Sequence, residues 1–197
     1  MKELPYGVNI NDLINDLRTF SWEASEILLY YSQILRDTNN KSNILENDDM
    51  NDPVTLADLK VNEIIIKRIK EKYANVDWEI LSEENVKIPS QNCDLNSDWL
   101  WVLDPLDGTM DFIQGTGNYA MHLALNFKQK PFIGVVLLPE KEQLWLSVGK
   151  KVWCEKKDRS RFYPNLTKNK NLQEMVLVKS KNHRNQTLEN LIRKINF

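Results

Sequence analysis

Apolar positions in the first part of the chain recur at three- and four-residue steps. Leu13, Ile14, Leu17, Phe20, Ala24, Ile27, Leu28, Tyr31, Ile34 and Leu35 lie on one stripe, which predicts a long amphipathic helix over 10–35. A second stripe, Ala57, Val61, Ile64, Ile65 and Ile69, predicts a helix over 55–73 with Thr55 or Asp52 near its start as the cap. Between them, "RDTNNKSNILENDDMND" is Asn/Asp-rich and without period, the pattern of an exposed loop, and Pro53 closes it. "DWEILSEE" and "DWLWVLD" then read as short strands that both end in carboxylates.

Beyond Gly117 the period changes to two. "NYAMHLALNF", "PFIGVVLLP", "QLWLSVG" and "KVWCE", separated by turn-like "KQK", "PEKE" and "GK", predict an antiparallel meander. "EMVLVKS" predicts another strand, and Leu188, Leu191, Ile192 and Ile195 a closing helix. The sum is an α+β fold with helices layered on a largely antiparallel sheet. A doubly wound parallel sheet would need crossover helices that these connections are too short to hold.

Composition narrows the function classes. A chain of 197 residues, 42% of them hydrophobic, can build one sizeable core or two small ones. With 28 acidic and 26 basic side chains and a net charge of −2, it has no positive field to hold a nucleic acid polymer. Cys93 and Cys154 are too far apart for a zinc or disulfide pattern, which points to a reducing, cytoplasmic compartment. "MKELPYGVNINDL" has no signal-like apolar run, and no segment approaches the ~20 apolar residues of a membrane span.

The chemistry concentrates in "WVLDPLDGTMDF". If its strand lies beside "EILSEE", then Glu83, Glu84, Asp104 and Asp107 crowd one end of the sheet and repel unless a cation neutralises them. Carboxylates without His or Cys suit a hard divalent ion such as Mg²⁺. Pro105 fixes the backbone after the first aspartate, Gly108 permits a sharp turn, and Thr109 adds a hydroxyl. A phosphate fits between such ions and the N–H groups of Gly108 and Thr109. Taken alone, Asp-Pro and Asp-Gly are ordinary turn dipeptides. His122 reads as a strand side chain facing solvent or a neighbouring layer, Trp99, Trp101, Trp145 and Trp153 as packing residues, and "KKDRSR" at 156–161 as an exposed turn.

Three ordered segments give the motif context. "DPVTLAD" (52–58), "LSEEN" (81–85) and "WVLDPLDGTMDF" (101–112) resemble the inositol monophosphatase superfamily of Mg²⁺-dependent, lithium-sensitive phosphatases, and are most similar to its 3′(2′),5′-bisphosphate nucleotidase branch. The resemblance implies a layered α/β sandwich of the sugar-phosphatase type. Residues 1–155 would form the metal- and phosphate-binding domain, and 156–197 the start of an incomplete second α/β domain. It implies that Glu83, Asp104 and the main-chain carbonyl of Leu106 hold one Mg²⁺, that Asp104 and Asp107 bridge to a second, and that Asp58 and Thr109 together orient and deprotonate the attacking water.

The resemblance further implies a small phosphorylated metabolite as substrate, 3′-phosphoadenosine 5′-phosphate or an inositol monophosphate, and a monomer or homodimer. "KSKNHRN" matches a family segment near the nucleotide, so that His183, with Lys179, Lys181 and Arg184, would touch substrate; a solvated loop is the competing reading. Two features depart from the family pattern. Asp48 stands where a Lys is usual ahead of Pro53, and no W-D-x-x-A segment occurs before Phe197. The alternative function is therefore a shortened, inactive member that binds phosphometabolites or metal without turnover.

Overall fold

The computed structural model describes residues 4–37, 55–86, 97–164 and 186–195. Helix α1 (Ile10–Arg36) begins at Asn9, whose side chain accepts the backbone N–H groups of Asn11 and Asp12. Its inward stripe, Leu13, Leu17, Ala24 and Leu28, is fully buried. Helix α2 (Leu56–Lys72) begins at Thr55 and buries Ala57, Val61, Ile65 and Ile69.

Strand β1 (Glu79–Ser82) runs straight into the one-turn helix α3 (Glu83–Val86), and β2 (Trp99–Asp107) into the short helix α4 (Thr109–Gln114). Five strands follow: β3 (Ala120–Phe127), β4 (Lys130–Leu138), β5 (Gln143–Val148), β6 (Lys151–Glu155) and β7 (Arg161–Phe162), with a 3₁₀ turn at Pro139–Lys141. The seven strands form one sheet in sequence order. β1 pairs with β2 in parallel, and every later neighbour is antiparallel. The β3–β4 hairpin turns at Lys128 and Gln129, both at positive φ, the two-residue geometry that matches strand twist.

Period-two alternation sends Trp101, Leu103, Leu123, Leu125, Ile133, Val135, Leu137, Leu144 and Leu146 to one face. They join the buried stripes of α1 and α2 in a single core. At ~25 cal/mol per Å² of apolar surface removed from water, this burial is the main stabilising term. Arg18 of α1 reaches through it to Glu155 at the end of β6, a buried ion pair supplemented by Arg161 and the Trp153 indole N–H.

The two helices, the paired short strands and the meander are therefore as the pattern predicts, including the short turns between strands. The predicted loop at 36–52, apart from Arg36 and Asp37, and the "EMVLVKS" strand lie outside the described residues. Met1–Pro164 and Asn165–Phe197 form separate compact units. β7 and the turn before it belong to the first unit. In the second, helix α5 (Gln186–Ile195) coincides with the predicted closing helix. No helix among the described residues is long and apolar enough to cross a membrane.

Candidate active site

The parallel pairing of β1 and β2 decides where the acids fall. Ser82 is the register partner of Leu103, so the next residues, Glu83 and Asp104, leave the ladder at the same end of the sheet. There the Glu83 charge acts on the Asp104 carboxyl.

Asp104 and Asp107 are three residues apart and would face opposite ways on a regular strand. A bulge prevents that. Asp104 is opposite His122 and Asp107 opposite Ala120, so three steps on β2 match two on β3. The extra residue falls at Pro105–Leu106, where a proline without an N–H costs the ladder nothing. It brings the two aspartates to the same side.

The turn that follows is tied by its own groups. The Leu106 N–H donates to Asp104 Oδ1 at 3.2 Å, and the Thr109 hydroxyl donates to the Leu106 carbonyl at 3.1 Å. Gly108, at φ 85°, caps α4, and a Cβ there would stand 2.8 Å from the Asn118 carbonyl oxygen. Only glycine fits that turn without strain.

On the neighbouring helix, Thr55 and Asp58 form a capping box. The Asp58 carboxylate accepts from the Thr55 N–H at 2.9 Å and from its hydroxyl at 2.5 Å, both on Oδ2. Asp58 is buried, and that burial, reinforced by nearby Glu84 and opposed by the Thr55 bonds, pushes its carboxyl up to about 6. Asp104 rises further, to about 7, first by burial and then by the charges of Glu83 and Asp107.

The structure thus brings Asp104, Leu106, Asp107, Gly108 and Thr109 into one turn, with Glu83 following the neighbouring strand at the same end of the sheet. Asp58 lies near Glu84 on the adjoining helix. Asp58 and Thr109 have Thr55 and Leu106 as hydrogen-bond partners here rather than each other. His183 lies outside the described residues, as do Lys179, Lys181, Arg184 and Cys93.

Among the described residues, no group of three or more His, Cys, Asp or Glu side chains converges at metal-ligand spacing. The donor set still fits a hard cation. It offers carboxylates and a carbonyl, and burial together with the charges of Glu83 and Asp107 disfavours a negative Asp104, a penalty that a cation would offset.

Two residues read from the sequence gain definite surroundings here. His122, half-exposed, has Nε2 3.9 Å from Asp107 Oδ2, a proximity set by cross-strand register. Glu84 is buried while Glu83 is exposed. Buried Ser82, exposed Glu83 and buried Glu84 keep the alternation of β1 into the start of α3. Beside Asp107, a cavity of about 280 Å³ opens between the start of β3 and the end of β4, with Asn118, His122 and Lys141 among its walls.

A mixed sheet flanked by helices, with acidic residues where its parallel pair ends, defines an α/β sandwich protein. The model of the inositol monophosphatase family matches residues 12–197, and the chain belongs to that family. The 3′(2′),5′-bisphosphate nucleotidase CysQ of Buchnera aphidicola is 31% identical over 147 residues, 74% of this chain and 52% of its own length. The Nus factor SuhB of Pasteurella multocida is 34% identical over 98 residues, 50% of this chain and 34% of the relative. The chain therefore spans about half or less of the curated relatives it matches.

Among solved structures, CysQ from Bacteroides thetaiotaomicron superposes with a TM-score of 0.67 at 23% identity, covering 95% of this chain and 70% of the other. Inositol monophosphatase II from Staphylococcus aureus gives 0.65 at 22% identity, covering 93% and 62%. These likenesses establish the sandwich fold expected from the sequence.

Proposed function

We propose that the chain is a Mg²⁺-dependent phosphomonoesterase acting on a small phosphorylated metabolite, with 3′-phosphoadenosine 5′-phosphate and inositol monophosphate as the leading candidates. The observation that carries this reading is the parallel β1–β2 register, which delivers Glu83 and the bulged Asp104–Asp107 turn to one end of the sheet.

Glu83, Asp104, Asp107 and the Leu106 carbonyl would hold the ions. When bound, Mg²⁺ supplies neutralisation of the acids and polarisation of the phosphoryl group. The chain's own residues do the rest. Thr109 keeps the Leu106 carbonyl aimed through its 3.1 Å hydrogen bond, and a carbonyl oxygen retains a second lone pair for a cation. The N–H groups of Gly108 and Thr109 would receive phosphate oxygens. With a carboxyl raised to about 6, Asp58 is suited to take a proton from water near neutral pH. Both Thr55 bonds fall on its Oδ2, which leaves Oδ1 as the accepting oxygen.

Following both substrates over time with the purified chain, with and without Mg²⁺, tests the reading. Depletion that requires Mg²⁺ supports it. Saturable binding of either compound without depletion supports instead a non-catalytic binder.

A further inference from the structure

Helix α2 carries a residue one turn beyond Asp58 to which neither the motif pattern nor the proposed chemistry assigns a role. Asn62 is placed at i+4 from Asp58, on the same side of the helix. Its side-chain oxygen accepts the Ser82 hydroxyl at 2.5 Å, and its side-chain nitrogen donates to Asn85 Oδ1 at 3.3 Å. Ser82 is the fully buried last residue of β1, and Asn85 lies within α3. Glu83 and Glu84 are the two residues between them. A single amide on the Asp58 helix therefore grips both flanks of the segment that presents Glu83.

We propose that Asn62 is a positioning residue that sets Glu83 relative to Asp58, resting on the reading of Glu83 as a metal ligand given above. The chemistry requires an amide. Ser82 donates and Asn85 accepts, so the tie needs one acceptor and one donor about 2 Å apart on a short stem, which Asn supplies and neither Leu nor Asp does. Asn62 touches no reacting atom in this arrangement. It acts on the spacing of two groups that do.

The test measures divalent metal affinity by calorimetric titration with Mg²⁺ and with Mn²⁺, alongside melting temperature and turnover. Loss of a metal ligand's own hydrogen-bonding partner typically costs about 10- to 100-fold in affinity, and because Asn62 holds the residues flanking Glu83 rather than Glu83 itself, Asn62→Leu is expected to fall at or below the lower end of that range. Asn62→Gln, which keeps both polar ends, is expected to recover part of the loss. In the double variant with Ser82→Ala, the loss should be smaller than the sum of the two single losses, because both remove the same tie. An Asn62→Leu chain that binds metal as tightly as the parent overturns the proposal, as does a Gln variant no better than Leu. A parent that binds metal but releases no phosphate would sink the phosphatase reading and leave the Asn62 test standing. A parent that binds no metal would overturn both.

Discussion

Glu83 and Asp104 leave the ladder together at the point where two parallel strands end, so that a half-buried Asp104 faces the charge of Glu83. That placement has a consequence for stability. Asp104 is raised from 3.8 to about 7 and Asp58 from 3.8 to about 6, so the folded chain holds these protons more tightly than the unfolded one. A group of this sign adds stability that is fully present below its unfolded value and is lost as pH rises through its folded value.

The metal-free chain is therefore expected to melt at progressively lower temperature as pH rises from about 4 to about 7, and Asp104→Asn is expected to flatten that slope. Adding Mg²⁺ at pH 7 should restore the melting temperature of the parent but not of Asp104→Asn, because a bound cation would offset the burial and like charges acting on Asp104. Thermal scans across pH, with and without the ion, check both statements. A parent whose melting temperature rises steadily over that interval would contradict the electrostatics described for the site.

The turn at Gly108 makes a second expectation. Its φ of 85° and the 2.8 Å approach of the Asn118 oxygen leave no room for a side chain. Gly108→Ala is expected to cost about 1–3 kcal/mol of stability, the scale of a strained backbone position, and to displace the Thr109 hydroxyl from the Leu106 carbonyl. Denaturant unfolding measures the first effect. An alanine variant as stable as the parent would show that the turn relaxes.

A third concerns the dual use of Thr55. Its hydroxyl accepts the N–H groups of Ala57 and Asp58 while donating to the Asp58 carboxylate. Thr55→Val keeps the shape and removes the hydroxyl, and should cost about 1 kcal/mol as a lost cap. Thr55→Ser should retain both stability and turnover. If the valine variant loses stability alone and keeps the parent turnover, Thr55 is a cap and nothing more.

Much of this site could be read from the chain before any coordinates. The periodicity of α1 and α2, the short turns of the meander, and the grouping of Asp104, Asp107, Gly108 and Thr109 follow from local pattern, because each depends on neighbours within a few residues. Three features do not. The bulge at Pro105–Leu106 that puts Asp104 and Asp107 on one side is a property of register against β3. The 3.9 Å approach of His122 to Asp107 depends on the same register. The clasp of Asn62 on Ser82 and Asn85 joins residues about 20 positions apart through the packing of α2 on the sheet edge. Pro105 was the one legible hint, since a proline inside an apolar strand marks an interruption of the ladder.

The most direct test of the central claim is phosphate release from 3′-phosphoadenosine 5′-phosphate and from inositol 1-phosphate by the purified chain in Mg²⁺, with Asp104→Asn measured beside it. Asp104 contributes to both proposed ion positions, so release by the parent should require Mg²⁺ and fall by orders of magnitude in the variant, each tenfold corresponding to about 1.4 kcal/mol of barrier. Release that is equal in the two proteins, or indifferent to Mg²⁺, would contradict the assignment of this turn as a metal-dependent phosphatase site.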